Sequence, residues 1–433
     1  MSLHDRDGAL ETALLAAARK RLAERPELGS ILAGRPPPAI TPDGLGTERA
    51  AALLLDVVMP AAIQIDHPRY FAFIPAAPAP ASALADVLLA VNAIYGGSWL
   101  EASGLVHAEN EALAWLAELA GFPDTAGGCF VPGGTNGNLS ALHAARERAR
   151  HAGNPATHLA CHAEVHSSVR SMARIMDAEV LPVPGDGLTG EALEQALHPG
   201  VFAVVATAGT TNLGTIDDLA GVAAVCADRG IWLHVDGAYG LGALCAPSAR
   251  ARFAGLERAD SFIVDPHKWL FSPFDCCALV YREPALARAA HRQHASYLEA
   301  LYDDEDAFNP SDYGVHLTRR ARGLPLWFAL AVHGTDAFTD AVERTLATAR
   351  DAAAEIDGRP ELELVAEPEL TILAFRRSGW APADYTRWAE ALRTSGTAFV
   401  LPTTVDGETV ARLAIVNPRT TLDDVKVVLD AAR

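Results

Sequence analysis

From about residue 120 to 282 the chain repeats one pattern: a short, nearly unbroken apolar run followed by a stretch with helical spacing. The runs are HLACHAE (158–164), VFAVVATAG (201–209), IWLHVDG (231–237), SFIVDP (261–266) and CCALVYR (276–282). Segments such as GEALEQAL and LAGVAAVCADRG, which have helical periodicity, separate them. A strand that is apolar on both sides must be covered on both faces. The pattern therefore predicts an α/β fold with a mainly parallel central sheet between layers of helices.

The flanks read differently. Residues 7–24 and 47–59 space their apolar side chains as helices do, and the Pro/Gly-rich GRPPPAITPDGLG between them breaks any regular element. This predicts a helical N-terminal arm over 1–78. The Pro/Ala segment IPAAPAPASA (74–83) leads into a large domain over 79–323. Over 324–433 long helices alternate with ELELVAE, LTILAFRR and TVARLAIVN, the pattern of a smaller α+β domain.

Charge and cysteine usage narrow the partners. With 54 acidic against 35 basic residues the net charge is -19, and no basic stripe offsets it. Nucleic acid and anionic membranes are thereby disfavoured. The start, MSLHDRDGAL, lacks the apolar core of a signal peptide, and no apolar run nears the ~20 residues that span a bilayer. Cys129, Cys161, Cys226, Cys245, Cys276 and Cys277 show no C-x-x-C spacing. They read as reduced thiols of a cytoplasmic protein, with neither a metal site nor a disulfide framework.

In open α/β sheets ligands bind outside the carboxyl ends of the strands. Here those ends carry His166, then Thr210 and Thr211, then Asp236, then Asp265, His267 and Lys268. Lys268 is one of only three lysines, so arginine does the routine surface work and this lysine calls for a reason. The glycine-rich turn in VPGGTNGNLSALHAAR (131–146) feeds a helix whose first N–H groups suit a phosphate, although it is no P-loop. An amine can form a Schiff base with pyridoxal phosphate, and apolar neighbours favour its neutral form. Asp236 would pair with the pyridine nitrogen, His166 would stack on the ring, and Gly134–Asn136 would hold the phosphate.

These residues carry a resemblance. HPRYFAFIP (67–75), HSSV (166–169), GTT (209–211), HVDGAY (234–239), ADSFIVDPHKW (259–269) and LTRRARGLPLW (317–327) resemble the group II pyridoxal-phosphate-dependent amino-acid decarboxylases, aromatic-L-amino-acid decarboxylase among them. The resemblance implies fold type I of the pyridoxal-phosphate-dependent transferases, in a homodimer whose active sites share residues between subunits. It implies that Lys268 forms the Schiff base, Asp236 pairs with the ring nitrogen, Ala238 packs beneath the ring and His166 stacks above it. Gly134, Thr135, Asn136 and Asp265 fall at phosphate-binding positions, with His267 and Thr211 next to them. Tyr70, Phe71, Phe73, Ile74 and Phe274 match the substrate pocket. Tyr313, or Tyr302, stands for the loop tyrosine that returns a proton to Cα, and Arg412 matches a small-domain arginine.

The implied reaction is decarboxylation of an aromatic L-amino acid to its amine and CO2. The alternatives are an acidic or diamino acid as substrate, or a decarboxylating aldehyde synthase or aminotransferase on the same fold. An inert cofactor-binding relative is the other class of reading. It would be free to lose Lys268, Asp236 or His166, and all three are present.

Overall fold

The computed structural model describes residues 7–24, 27–32, 34–36, 38–302 and 307–432, with the side chain of Tyr302 outside the description. Seven strands form the main sheet: β1 (Gly127–Val131), β2 (His158–His162), β3 (Glu179–Val183), β4 (Val201–Thr207), β5 (Trp232–Asp236), β6 (Ser261–Val264) and β7 (Cys277–Tyr281). Their spatial order is β1-β7-β6-β5-β4-β2-β3. Strands β2 to β6 pair in parallel, whereas β7 runs antiparallel to both β6 and β1. The five apolar runs become β2, β4, β5, β6 and β7. Sequence patterning misses β1 because it opens on two glycines, and β3 because this edge strand holds a proline and is largely unburied.

Every residue of β4 is buried, as a strand covered on both faces requires. On β5 the period of two puts Leu233 and Val235 on one face and Trp232, His234 and Asp236 on the other. Helix Gly134–His151 covers the second face and packs Ala141, Leu142 and Ala145 into the cluster that contains Trp232. Its closeness depends on Gly137, where an added Cβ would lie 2.7 Å from Ile263 Cγ2 on β6. The turn after β4 depends on Gly209, whose φ of 102° is disfavoured for other residues.

The R-R-x-R segment has a structural task. Arg319 forms a buried, bidentate ion pair with Glu109 on helix Trp99–Leu119, both Nη–Oε distances being 2.7 Å. Glu109 also accepts from the Gly323 backbone N–H at 2.8 Å.

A second, antiparallel sheet has the order β10-β11-β9-β8, with β8 (Leu362–Leu364), β9 (Ile372–Arg377), β10 (Thr403–Val405) and β11 (Glu408–Ala414). Helices Thr335–Asp357, Pro382–Thr394 and Leu422–Asp430 bury Ile356, Trp388 and Val428 against it. Helix Leu324–His333 instead packs on helices Pro80–Asn92 and Trp99–Leu119. Helix Thr335–Asp357 is thus the one that follows it onto the second sheet, packing on β8 and β9.

The segment before the main sheet also departs from expectation. The arm helices span Gly8–Ala23 and Thr47–Ala52, the latter continuing as a π-helical stretch over Leu53–Val58. Residues 70–72, assigned to the arm, join the smaller body. Phe71 is fully buried beside Phe375 and Leu413; its N–H donates to the Phe399 carbonyl at 2.8 Å, and its own carbonyl accepts from Ala414 at 3.0 Å. Tyr70 packs edge-on to Phe399, ring centroids 5.0 Å apart. Neither ring is in the lining of the cavity that holds Lys268, so both lie apart from the expected substrate pocket. Among the described residues no helix is long and apolar enough to cross a membrane.

Candidate active site

The carboxyl ends of β4, β5 and β6, with the start of helix Gly134–His151, enclose a cavity of about 610 Å³. Such a volume lies within the range of roughly 300–1,000 Å³ usual for small-molecule sites. Its lining includes Gly134, Thr135, Asn136, His166, Thr211, Asp236, Ala238, Asp265, His267 and Lys268, with Phe73, Ile74 and Phe274 at the rim. Five separate segments thus deliver their polar residues to one place.

Lys268 lies on the one-turn helix Pro266–Trp269 that follows β6, and its Nζ donates to Asp265 Oδ2 at 2.8 Å. Burial opposes the charge on Lys268, but Asp265, its hydrogen bond and the more distant Asp236 outweigh burial and hold the ammonium above the usual lysine range. Burial likewise opposes the Asp265 carboxylate, and Lys268 and His267 outweigh it, keeping that carboxyl below its ordinary value. This corrects two expectations. The apolar neighbours of Lys268 do not leave its amine neutral, and Asp265 is the counter-ion of the lysine, a poor partner for a phosphate. The His267 ring lies 3.6 Å from Asp265, and burial pushes its pKa down.

Asp236 ends β5. Its Oδ2 accepts from Asn138 Nδ2 at 2.9 Å and its Oδ1 from the Ala238 N–H at 3.2 Å. His166 caps helix Ser167–Ile175, its Nδ1 lying 2.8 Å from Ser168 Oγ. Helix Gly134–His151 begins at the cavity wall with no side chain capping its first turn. Unpaired N–H groups and the helix dipole there suit an anion. The Thr211 carbonyl accepts from Arg412 Nε and Nη2 at 3.0 and 2.7 Å, and the Phe73 carbonyl from Arg412 Nη1 at 2.8 Å. Arg412 thus ties β11 to the cavity rim, and burial draws its pKa down to about 10.

Tyr313 is elsewhere. Its ring stacks on Phe308 at 4.4 Å between centroids, and its carbonyl accepts from the Tyr281 hydroxyl at 3.2 Å. Packed in the core cluster with Cys129 and Tyr281, the phenol is pushed up to about 12 by burial. This chain's own cavity is not lined by it, so the assignment as proton donor there is withdrawn. The lining also brings in residues that sequence reasoning passed over: Asn138, Leu139, Glu164, Ser168, Met172 and Tyr239. The alternation in WLHVD is the one signal that pointed toward a polar partner for the β5 face.

Comparison with known proteins shows the family. The conserved domain of pyridoxal-dependent decarboxylases matches residues 51–378. The L-2,4-diaminobutyrate decarboxylase of Rhizobium meliloti (strain 1021) is 33% identical over 411 residues, covering 89% of this chain and 82% of that protein. The aromatic-L-amino-acid decarboxylase of Bacillus atrophaeus is 30% identical over 380 residues, covering 83% and 79%. Among solved structures, Oryza sativa TDC with PLP and tryptamine matches with a TM-score of 0.88 at 23% identity, covering 100% of this chain and 99% of that one. The residues present fit pyridoxal phosphate: an amine, a carboxylate, a flat imidazole and an uncapped helix start all face one cavity.

Proposed function

This chain belongs to the pyridoxal-dependent decarboxylase family and is a pyridoxal-phosphate-dependent amino-acid decarboxylase, and from that premise we propose which residues carry the reaction and what they select. When bound, the cofactor supplies a ring that takes up the electron pair left as the bond between Cα and the carboxylate breaks. Lys268 Nζ is the amine that holds the cofactor, with Asp265 Oδ2 keeping a proton close to that nitrogen. Asp236 holds the positive charge of the ring nitrogen, and His166 and Ala238 flank the ring. The first turn of helix Gly134–His151, with Thr135 and Asn136, binds the phosphate. Phe73 and Phe274 narrow the mouth and limit water near the carboxylate that is lost. The observation that carries this reading is the convergence of Lys268, Asp236 and His166 on one cavity.

The substrate is an aromatic L-amino acid, for which the rims formed by Phe73, Ile74 and Phe274 provide apolar surface. One observation favours a second reading. Asp236 and Asp265 are engaged by Asn138 and Lys268, while Glu164 is an exposed carboxylate in the same lining. It would attract the distal ammonium of a diamino acid. Competition between labelled phenylalanine-type and diaminobutyrate-type substrates, followed by CO2, amine, aldehyde and ammonia, separates these readings and tests the reaction. Aldehyde with ammonia in place of amine would overturn simple decarboxylation.

The working form is a homodimer with shared active sites, in a cytoplasmic setting that suits six unpaired, buried cysteines. Its support is a stripe of exposed apolar residues at positions 84, 87, 88 and 91 on helix Pro80–Asn92, the spacing of one helix face. Phe73 and Phe274, 61% and 54% exposed at the cavity mouth, also call for a cover.

A further inference from the structure

Behind the cavity lies a hydrogen-bond chain whose direction is set at both ends. The Trp232 indole can only donate, and an ionised Asp236 can only accept. Trp232 Nε1 donates to Ser261 Oγ at 2.9 Å, which leaves the Ser261 hydroxyl hydrogen for His234 Nδ1 at 2.8 Å. His234 therefore keeps its own hydrogen on Nε2, which donates to Asn138 Oδ1 at 2.9 Å. With Oδ1 so occupied, Asn138 Nδ2 meets Asp236 Oδ2 at 2.9 Å and Ser168 Oγ at 3.0 Å. Turning the amide over would set its oxygen against the carboxylate.

The branch at Ser168 continues the logic. Its oxygen accepts from Asn138, so its hydrogen goes to His166 Nδ1 at 2.8 Å, and the Ser168 backbone N–H points to the same nitrogen at 3.3 Å. Trp232, Ser261, His234, Asn138 and Ser168 are all at most 4% exposed, so water offers little competition. Burial pushes His234 down to about 4, which keeps this link neutral and the direction fixed.

We infer that Asn138 is a positioning residue that joins the two groups facing the cofactor: it orients the Asp236 side chain and, through Ser168, holds His166 with its hydrogen on Nε2. His166 then presents a donor to the cavity and acts as a hydrogen-bond donor, not as a base. The inference rests on the reading that Asp236 and His166 meet the cofactor ring.

The test reads the tautomer directly. Apoprotein labelled with 15N-histidine, held well above the usual imidazole range, gives His166 ring signals identified by their loss in His166→Gln. A single Nε2–H form is expected in the wild type and in Ser168→Thr, and a redistribution between tautomers in Ser168→Ala. Asn138→Leu should raise the pyridoxal phosphate concentration for half-saturation roughly tenfold or more, the loss of about one charge-assisted hydrogen bond. Should that variant fail to fold, the Ser168 pair decides alone. An Nδ1–H form in the wild type, or an unchanged signal in Ser168→Ala, overturns the inference. Since no substrate is present, a correct tautomer in a protein that decarboxylates nothing would sink the proposed reaction and leave this inference standing.

Discussion

Lys268 follows an apolar strand, and its neighbours in sequence imply a neutral amine. In space the nearer fact is Asp265, 2.8 Å away, which holds the ammonium charged in the cofactor-free protein. Loading then requires a proton to leave a stabilised pair. Asp265→Asn should lower the pKa of Lys268 and speed cofactor capture at neutral pH. Because the chain has three lysines, NMR of lysine-labelled apoprotein follows Lys268 directly beside Lys20 and Lys426. An unchanged titration in the variant would contradict the pairing. At this scale the strand-end groups that meet in one cavity were legible in the sequence: Lys268, Asp236, His166 and the Gly134 turn. Tyr70, Phe71 and Tyr313 were not, because aromatic type does not tell which face of an element a ring will occupy. Asn138 and Ser168 went unread, since a polar residue near a helix start usually meets solvent.

At the scale of elements, the cavity depends on how closely helix Gly134–His151 lies against β5 and β6. Gly137→Ala would force a Cβ to within 2.7 Å of Ile263, so the helix must shift. Overpacking of this kind costs about 1–3 kcal/mol, and thermal unfolding should show it together with weakened pyridoxal phosphate binding. The ion pair of Glu109 with Arg319 ties the 317–323 segment to helix Trp99–Leu119. Glu109→Ala leaves a guanidinium buried without its carboxylate and should cost about 3–5 kcal/mol, measured by urea unfolding. The resemblance of LTRRARG to its family is thus explained by packing, although sequence alone offers no way to separate an anchoring arginine from a catalytic one. Strand runs buried on both faces announced themselves by unbroken apolarity; β1 and β3, glycine-led and at an edge, carried too little of that signal.

For the whole molecule, pH and assembly are the levers. Burial lowers His234 and His291 to about 4, below the ordinary imidazole value of about 6.5. Between those values the unfolded chain binds the extra proton, so stability rises with pH, and each contribution is lost as pH falls from about 6.5 toward 4. Each residue is worth on the order of 3 kcal/mol across that window. Replacing His291 with Gln should flatten the pH dependence of the unfolding midpoint relative to the wild type; parallel curves would contradict it. If the proposed dimer forms through this face, placing Glu at 88 and 91 together should yield a monomer in sedimentation and impair cofactor retention. The presence of a second sheet after the first was legible in the switch of periodicity along the chain. The exchange of residues 70–72 into the smaller body was not, because it depends on a bridge to Phe399, far along the sequence. Borohydride reduction of the holoenzyme followed by peptide mapping shows whether Lys268 is the amine that carries the cofactor. The cofactor's mass should be fixed on the peptide containing Lys268 and absent from those containing Lys20 and Lys426. Label on either of the other two, or on none, would contradict it.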